Sequence, residues 1–353
     1  MPLFNEIELR AICLHILEAV GVNSEDAEFV SNSLIEANLM GHDSHGILKL
    51  INYVRSMKKG VTRSNVKVKV LRETSSTAVL DGNWGLGQIA AKNAMELAIQ
   101  KAKVNGIGAV AVAHCNHIGR LGEYSTIAAE KDMIGIILIN SAGNNVAPYG
   151  GIDPMYGTNP LSIAIPTGLG KPILLDMATS IVAGGKVRIA KTRGEKIPEG
   201  WIIDRQGHPS TNPDDLYDDE KCIGALLPFG GYKGSGLGLV LEIIGGVLVG
   251  AGCGPKSKGN GPLMIALNIE SFMPLNDFKK QVDSFIMTVK NSRKKEGVNE
   301  ILLAGELEFK TKEKRRKEGI FIEDSVWNQI KEISKGLNID LEIFLKENKN
   351  LLK

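Results

Sequence analysis

The chain has 353 residues, of which 43% are hydrophobic and 23% are charged; 42 Lys and Arg face 40 Asp and Glu, a formal net charge of +2. A charge this close to zero excludes a dedicated nucleic-acid binder and a polybasic membrane anchor, because both need a large positive excess. The composition is typical of a globular protein, and the length predicts two or three subdomains because it exceeds what one core usually serves.

The four cysteines, Cys13, Cys115, Cys222 and Cys253, are not spaced as a zinc knuckle or a redox pair would be. Charged side chains occupy the first ten residues, where a signal peptide would be apolar, and no run of about 18 apolar residues follows. We therefore predict a cytoplasmic protein with neither a membrane nor a nucleic-acid partner.

Hydrophobic periodicity predicts three helices in the first 60 residues. The first covers about residues 5–20 and ends at Gly21, a typical stop residue. Asn23 and Ser24 are capping residues that start a second helix, which runs to about Met40. A third helix is predicted over Ser44–Lys58.

From Val66 onward the pattern is typical of strands. Val66, Val68 and Val70 alternate with lysines, which predicts a half-buried strand. Further strands are predicted at Thr77–Leu80, Gly108–Ala113, Gly135–Asn140 and Ser162–Ile165. Helices are predicted between them at Gln88–Asn105 and Gly122–Lys131.

The C-terminal part returns to helices. Leu275–Ser292 and Val326–Leu345 have amphipathic patterns and flank a charge-rich stretch, Lys310–Lys317. Because glutamates interleave this stretch, we interpret it as a solvated face. The chain as a whole divides into a helical part at 1–65, a mixed α/β part at 66–270 and a part at 271–353 that packs with the N-terminal helices.

A glycine turn, Gly85-Leu86-Gly87, follows a predicted strand and opens a predicted helix, as a dinucleotide-binding fingerprint would. A Rossmann site also needs an acidic residue at the end of the next strand, to bind the ribose hydroxyls. Here His114 and Cys115 follow that strand. The Rossmann interpretation therefore fails.

Two short segments of the chain each contain two histidines, which are candidates for metal binding or proton transfer. In residues 41–46, His42 and His45 lie three residues apart at the start of the third helix. Each could bind a metal ion, but a zinc site needs three or four ligands. Composition alone instead favours a structural role, in which Asp43 or Ser44 caps the helix. Residues 114–120 follow an apolar strand and contain His117 near an arginine. That pair suits a proton shuttle beside a carboxylate clamp, and its alternative is a solvated turn.

Dense runs of small and polar residues follow, which either approach a ligand closely or form ordinary turns. One run, Gly230–Gly236, opens an apolar helix whose N-terminus and Lys233 are suited to hold an anion. The other runs are residues 140–145, 148–151, 156–160 and 176–180.

Five of these motifs, taken in order, resemble the type 2 malate/L-lactate dehydrogenase family, which includes ureidoglycolate, sulfolactate and diketogulonate oxidoreductases. They are residues 41–46, Asn116–Gly119, Tyr156–Pro160, Leu175–Ser180 and Tyr232–Gly234, within a resemblance from about Ile7 to Gly319. Residues 119–122 and 184–186 are most similar to the hydroxycarboxylate dehydrogenase branch.

The resemblance implies interconversion of a 2-hydroxy acid, such as malate, lactate or a related hydroxycarboxylate, and its 2-keto acid, with NAD or NADP as cofactor. It implies an α+β fold in which a helical domain from both chain ends joins a mixed, largely antiparallel α/β cofactor domain that is not Rossmann. It also implies a homodimer.

The resemblance further assigns residues to roles. His117 matches the acid/base histidine and His45 a second catalytic histidine. The substrate-binding positions are Arg120, Lys49, Ser44 and Tyr53. The cofactor-binding positions are Ser141, Thr158, Asn159, Asp176, Met177, Ala178, Thr179, Lys233, Gly234, Gly305 and Glu306.

The position of Lys49 departs from the family, which usually has an arginine there. Lysine lacks the planar fork that pairs with a carboxylate, so we predict that Arg120 takes over the carboxylate clamp. Alternatively, Arg120 anchors its turn or pairs with Glu123.

A rival function, a metal-dependent hydrolase or lyase, would use His42, His45, His114 and His117.

Overall fold

The computed structural model describes residues 2–218 and 221–347. Its α-helices are α1 (Glu6–Ala19), α2 (Ser24–Leu39), α3 (Leu48–Lys58), α4 (Gly87–Asn105), α5 (Leu121–Ala129), α6 (Gly184–Arg193), α7 (Tyr232–Ile243), α8 (Leu275–Lys290), α9 (Glu306–Glu318), α10 (Asp324–Lys335) and α11 (Leu341–Glu347). Its strands are β1 (Leu3–Phe4), β2 (Lys69–Glu73), β3 (Thr77–Asp81), β4 (Ile107–Ala113), β5 (Met133–Asn140), β6 (Leu161–Ile165), β7 (Ile173–Met177), β8 (Ile202–Ile203), β9 (Pro209–Ser210), β10 (Tyr217–Asp218), β11 (Lys221–Cys222), β12 (Ala225–Leu226), β13 (Gly261–Asn268) and β14 (Ile320–Phe321).

A seven-stranded mixed sheet forms the centre of this α/β fold, in the order β2-β3-β4-β13-β5-β6-β7. Strands β3 and β4 pair in parallel and are joined by α4, while the other neighbouring strands of the sheet pair antiparallel. Helices α4 and α5 bury the inner residues of these strands, including Val110, Ile137 and Met264. This core fixes the loop that follows β4.

A second core joins the two ends of the chain. Leu9 and Leu34 of the first two helices pack in one cluster with Ile51 of α3 and Ile330 of α10. Strand β1 pairs antiparallel with β14 beside it. None of the helices in the described part of the chain is long and apolar enough to cross a membrane.

The predicted first two helices are confirmed, including the cap at Asn23, whose side chain accepts from the Asp26 N–H. The third helix begins at Leu48 rather than Ser44, because residues 43–45 form a separate 3-10 turn and Gly46 is extended. The predicted strand at Val66–Val70 is shifted, since β2 begins at Lys69 and all five of its residues are exposed.

The C-terminal predictions need two corrections. The helix predicted over Val326–Leu345 is two helices, because the chain turns between them at Asn338, whose φ is +61°. The charge-rich stretch belongs to α9 and is not simply a solvated face, since Lys312 pairs with Glu36 and Arg315 with Asp43. The central strand β13 was not predicted.

Candidate active site

The loop after β4 is held by the glycine turn that precedes α4. The amide of Asn116 donates to the backbone oxygens of Trp84 and Gly85, both at 2.9 Å. A Cβ on Gly87 would lie 2.4 Å from the carbonyl oxygens of Asn116 and His117, so only glycine allows this approach. The turn that looks like a dinucleotide fingerprint therefore supports the His117 loop.

Two polar groups lie within hydrogen-bond distance of Nδ1 of His117. The hydroxyl of Tyr53 lies 2.7 Å from Nδ1, and the N–H of Gly119 donates to the same atom at 3.3 Å. The amide of Gln88, a fully buried residue of α4, donates to the Tyr53 hydroxyl at 2.7 Å. Three separate chain segments therefore fix this imidazole.

His45 lies on the 3-10 turn, which α2 and α9 hold in place. Asn38 accepts from the N–H of Ile47 at 2.8 Å and donates to Asp43 at 2.7 Å. Arg315 binds the same carboxylate with two nitrogens, at 2.6 and 2.9 Å. Asp43 therefore does not cap α3, and the capping expectation is wrong because Asn38 supplies the acceptor.

Ser44 does not cap α3 either. Its hydroxyl lies 3.0 Å from Nδ1 of His45. Its Cβ would come within 2.6 Å of a Cβ placed on Gly185, so the N-terminus of α6 packs closely against this turn. Gly185 thus lets the start of α6 approach the turn that holds His45.

The rings of His45 and His117 stack with centroids 5.5 Å apart. Burial lowers the pKa of His45 to about 3 and the pKa of His117 well below its usual value, and the charge of Lys49 lowers both further. Burial and the charge of Arg188 also lower the pKa of Lys49. Both imidazoles are neutral at pH 7, and a cation lies beside them.

Arg120 is 5% exposed and lies beside the carboxyl group of Asp176. Its Nη1 is 3.8 Å from Asp176 Oδ2, which also accepts from the N–H of Gly122 at 2.7 Å. Burial raises the pKa of Glu123 to about 7, and the charge of Arg120 opposes that shift. Nε and Nη1 of the guanidinium are buried without a hydrogen-bond partner among the described residues.

Several of the predicted cofactor positions come together at the ends of β5, β6 and β7. Asn159 accepts from the N–H of Ser141 at 3.0 Å and donates to Glu242 at 2.8 Å. Thr179 donates its hydroxyl to the carbonyl oxygen of Thr158 at 2.9 Å. These contacts join the ends of the three strands, and Met177 pairs in register with Leu161 beside them.

The other cofactor positions lie on helix N-termini. Lys233 and Gly234 are in the first turn of α7, where the lysine is exposed and the glycine is buried. Gly305 has a φ of +90° at the start of α9 and packs against Leu174 of β7. Glu306 is already engaged, since it forms an ion pair of 2.6 Å with Lys290.

His114 lies apart from this arrangement. Its Nδ1 is 2.9 Å from Asp81, and its ring contacts Trp84. Within residues 2–218 and 221–347, no group of three or more His, Cys, Asp or Glu side chains is arranged to hold a metal ion.

Sequence reasoning missed Gln88, Asn38 and Arg315, the residues that hold the histidines in place. Gln88 directly follows the glycine turn Gly85-Leu86-Gly87, and this turn was the only feature of the sequence that pointed to Gln88. Arg315 lies 272 residues from its partner Asp43, and no local pattern links the two.

Comparison with known proteins gives a consistent result. A family model described as malate/L-lactate dehydrogenase matches residues 4–331. The malate dehydrogenase of Pyrococcus abyssi is 40% identical, over 94% of each chain. Hydroxycarboxylate dehydrogenase B of Escherichia coli K12 is 35% identical, over 96% of this chain and 95% of that protein.

A solved structure, the sulfolactate dehydrogenase of Methanocaldococcus jannaschii, is 39% identical and superposes with a TM-score of 0.89, covering 97% of this chain and 99% of that one. These relatives are named as dehydrogenases, so they give no support to the hydrolase or lyase alternative. The chain belongs to the malate/L-lactate dehydrogenase family and is an enzyme of hydroxy acid oxidoreduction.

Proposed function

We propose that this chain interconverts a small 2-hydroxy carboxylate and its 2-keto acid, with NAD or NADP as cofactor and His117 as the acid/base residue. One observation carries the proposal: the buried imidazole of His117 lies 2.7 Å from the hydroxyl of Tyr53, and Lys49 lies one turn before Tyr53 on α3, where its charge acts on the imidazole. Oxidation of an alcohol needs a base within reach of the hydroxyl and a positive group for the carboxylate. The relatives named for malate, sulfolactate and hydroxycarboxylates support this substrate class.

Lys49 is our preferred partner for the substrate carboxylate. Among the described residues no carboxylate forms an ion pair with it, and its charge acts on both His45 and His117. Arg120, in contrast, has the carboxylate of Asp176 at 3.8 Å from Nη1, which offsets part of its charge. The expectation that Arg120 forms the clamp stays a prediction, supported by its two buried N–H groups without a partner.

The chemistry of the donor groups fits a dinucleotide with two phosphates. Lys233 is exposed at the N-terminus of α7, and neither it nor Lys186 of α6 has an ion-pair partner in the described part of the chain. We propose that these groups hold the cofactor together with the small-residue wall at Ser141, Thr158, Asn159 and Asp176–Thr179 and with the Gly305-Glu306 pair. When bound, the cofactor supplies the site that exchanges hydride with the substrate carbon.

The cofactor is proposed to bind without a Rossmann fingerprint, because backbone oxygens of the His117 loop fill the space at Gly87. The division into residues 1–65, 66–270 and 271–353 also stays a proposal. It is supported by two separate hydrophobic cores, one built from both chain ends and one from the sheet with α4 and α5.

The protein's own residues would act in three ways. Lys49 binds the carboxylate and so orients the hydroxyl or keto oxygen towards Nε2 of His117. In oxidation the neutral imidazole of His117 takes the hydroxyl proton and becomes an imidazolium, and in reduction that imidazolium returns the proton. His45 stacks on the ring and helps to exclude water from the reacting atoms.

A homodimer is proposed from the family resemblance and one exposed apolar face. This face is formed by α7 and the π-helical turn that follows it at Ile244–Leu248. Its large side chains are 49 to 70% exposed, more than single scattered residues would require. They are Leu239, Val240, Ile243, Val247 and Leu248.

The test is a spectrophotometric assay. Purified protein is mixed with NADH or NADPH and a panel of 2-keto acids that differ in side chain, and absorbance at the nicotinamide band is followed. We expect cofactor oxidation that depends on the keto acid. No oxidation with any member of the panel and either cofactor would overturn the proposed activity.

A further inference from the structure

Helix α7 contains a buried carboxylate without a counter-charge. Glu242 is 4% exposed, and within residues 2–218 and 221–347 no Lys, Arg or His side chain forms an ion pair with it. Its oxygens instead accept two hydrogen bonds, Oε2 from the side-chain amide of Asn159 at 2.8 Å and Oε1 from the N–H of Gly254 at 2.7 Å. Because burial of an unpaired charge is costly, these two hydrogen bonds are what stabilise the carboxylate there.

Asn159, the first partner, has a backbone conformation that needs support. It is fully buried and has a φ of +33°, which a residue other than glycine keeps only where its surroundings hold it. Its side-chain nitrogen also donates to the carbonyl oxygen of Gly238 at 2.9 Å, and its side-chain oxygen accepts from the N–H of Ser141 at 3.0 Å. The backbone N–H of Asn159 donates to the Ser141 hydroxyl at 3.2 Å. Two hydrogen bonds therefore join Asn159 to Ser141.

The direction of these hydrogen bonds explains why the residue on α7 is a glutamate. The N–H of Ser141 can only donate, whereas a carboxylate and a carbonyl oxygen can only accept, so three groups agree on the orientation of the Asn159 amide. A glutamine at position 242 would have one oxygen and one NH₂ group. Its NH₂ group would face either the amide nitrogen of Asn159 or the N–H of Gly254, and both of these are donors. A carboxylate, in contrast, satisfies both.

The same helix touches both parts of the proposed cofactor site. Lys233 lies in the first turn of α7. Gly238 and Glu242 are four residues apart, so they lie on one face of the helix, and both contact Asn159. A Cβ on Gly238 would come within 3.0 Å of the Thr179 hydroxyl, which shows how closely this face packs on the small-residue wall. Glu242 therefore fastens the wall to the helix that presents Lys233.

We propose that Glu242 is a positioning residue that, through Asn159 and Ser141, holds the small-residue wall in the geometry that binds the nicotinamide cofactor. Glu242 acts through Asn159 and not by contact with the cofactor, since it is buried and both of its oxygens already face N–H groups of the protein. The inference rests on the proposed cofactor site. Loss of the carboxylate should therefore weaken cofactor binding in a protein that is still folded.

The test is a double-mutant cycle on cofactor affinity. The full chain is titrated with NADH and with NADPH, followed by fluorescence, for the parent, Glu242→Gln, Asn159→Ala and the double variant, each well below its unfolding temperature. We expect Glu242→Gln to bind the cofactor about tenfold more weakly, which corresponds to about 1.4 kcal/mol. Asn159→Ala should weaken binding at least as much. Adding Glu242→Gln to Asn159→Ala should then change the affinity less than about twofold, because the carboxylate acts through the amide.

A matched control separates positioning from stability. Lys101 is also a buried charged residue, 8% exposed, and it donates to Glu73 and to the carbonyl oxygen of Thr74, none of which belongs to the proposed site. Lys101→Met should lower the free energy of unfolding, measured in urea, and keep the parent's cofactor affinity.

Two results would overturn the inference. One is a folded Glu242→Gln with the parent's affinity, and the other is a cycle in which the two effects simply add. If Glu242→Gln does not fold, Glu242→Asp, which keeps the charge but is one carbon shorter, takes its place in the cycle and is judged by the same two results. A parent that binds neither NADH nor NADPH is a separate failure, because it removes the proposed cofactor site and this inference with it.

Discussion

The two sides of the candidate site are built differently. On the His117 side, side chains from α3, α4 and the loop after β4 form hydrogen bonds of 2.7 Å in a buried setting. On the side of α7, Lys233 is exposed, and two tyrosines near it, Tyr149 and Tyr232, are about two-thirds exposed. A proton donor needs a fixed geometry and a controlled pKa, whereas a cofactor that exchanges every turnover needs an accessible surface.

This comparison predicts different consequences for substitutions on each side. Changes on the buried side should alter turnover, substrate affinity and stability together, because the same contacts serve all three. Changes on the open side should alter cofactor affinity and leave the fold unaffected.

The largest effect is expected for His117→Asn. Loss of a positioned acid/base residue should lower the turnover number by about 10² to 10⁴ while the fold persists. The matched control is His114→Asn, because His114 lies on the same loop but pairs with Asp81 outside the site. Stopped-flow or steady-state assays decide the matter, and a turnover number equal to the parent's would remove His117 from the mechanism.

The next effect concerns the carboxylate clamp. Lys49→Ala should raise the Michaelis constant for every keto acid by a similar factor of about 10 to 100, since a charged contact is worth about 1.5 to 3 kcal/mol. Arg120→Lys should have a smaller effect, because the nearby carboxylate of Asp176 already offsets part of the Arg120 charge. If steady-state assays give the larger penalty to Arg120→Lys, then Arg120 holds the carboxylate and Lys49 does not.

Gly87→Ala tests whether the glycine turn supports the His117 loop. Its Cβ would lie 2.4 Å from two backbone oxygens, so we expect a loss of about 2 kcal/mol in the free energy of unfolding, with cofactor affinity nearly unchanged. Gly236→Ala is the control, because a Cβ on this helical glycine meets nothing within 4 Å and alanine is the better helix former. Urea denaturation and NADH fluorescence titration separate the two quantities; normal stability with weak cofactor binding would reverse the assignment.

Lys233→Ala should give the opposite result. We expect NADH to bind about tenfold more weakly, because the proposed contact to a phosphate is exposed and partly screened. The unfolding transition should match the parent, since Lys233 forms no ion pair within the described residues. Unchanged affinity in the same titration would place the phosphates elsewhere.

The sequence was sufficient for features that are local. The cap at Asn23 and the helices α1 and α2 could be predicted, because each depends on residues that are close in sequence. The central strand β13 could not be predicted, since its apolar run lacks a strand-like alternation and its neighbours β4 and β5 lie over 120 residues earlier.

The buried half of the site depends on distant pairs. Gln88 reaches Tyr53 across 35 residues, and the loop of His45 depends on Arg315 from the far end of the chain. Composition and local spacing do not reveal such distant pairs, because a glutamine or an arginine alone is typical of a solvent-exposed helix. The proposed cofactor side was easier to predict from the sequence, since its residues lie in contiguous motifs of small residues and at a helix N-terminus, and it stays a prediction.

The smallest effect is a shift in pH dependence, and it separates the charge of Lys49 from its role in binding. In the proposed mechanism the neutral form of His117 is the base in oxidation, and burial and the charge of Lys49 lower the pKa of the imidazole well below 6.5. The acid limb of kcat/KM for a hydroxy acid should therefore lie below pH 6.5 in the parent. Lys49→Met removes the positive charge, so the pKa of His117 should rise and the limb should move to higher pH by less than about one unit, with burial still holding it below 6.5. A limb that stays in place while the Michaelis constant rises would mean that Lys49 binds the carboxylate without tuning the imidazole.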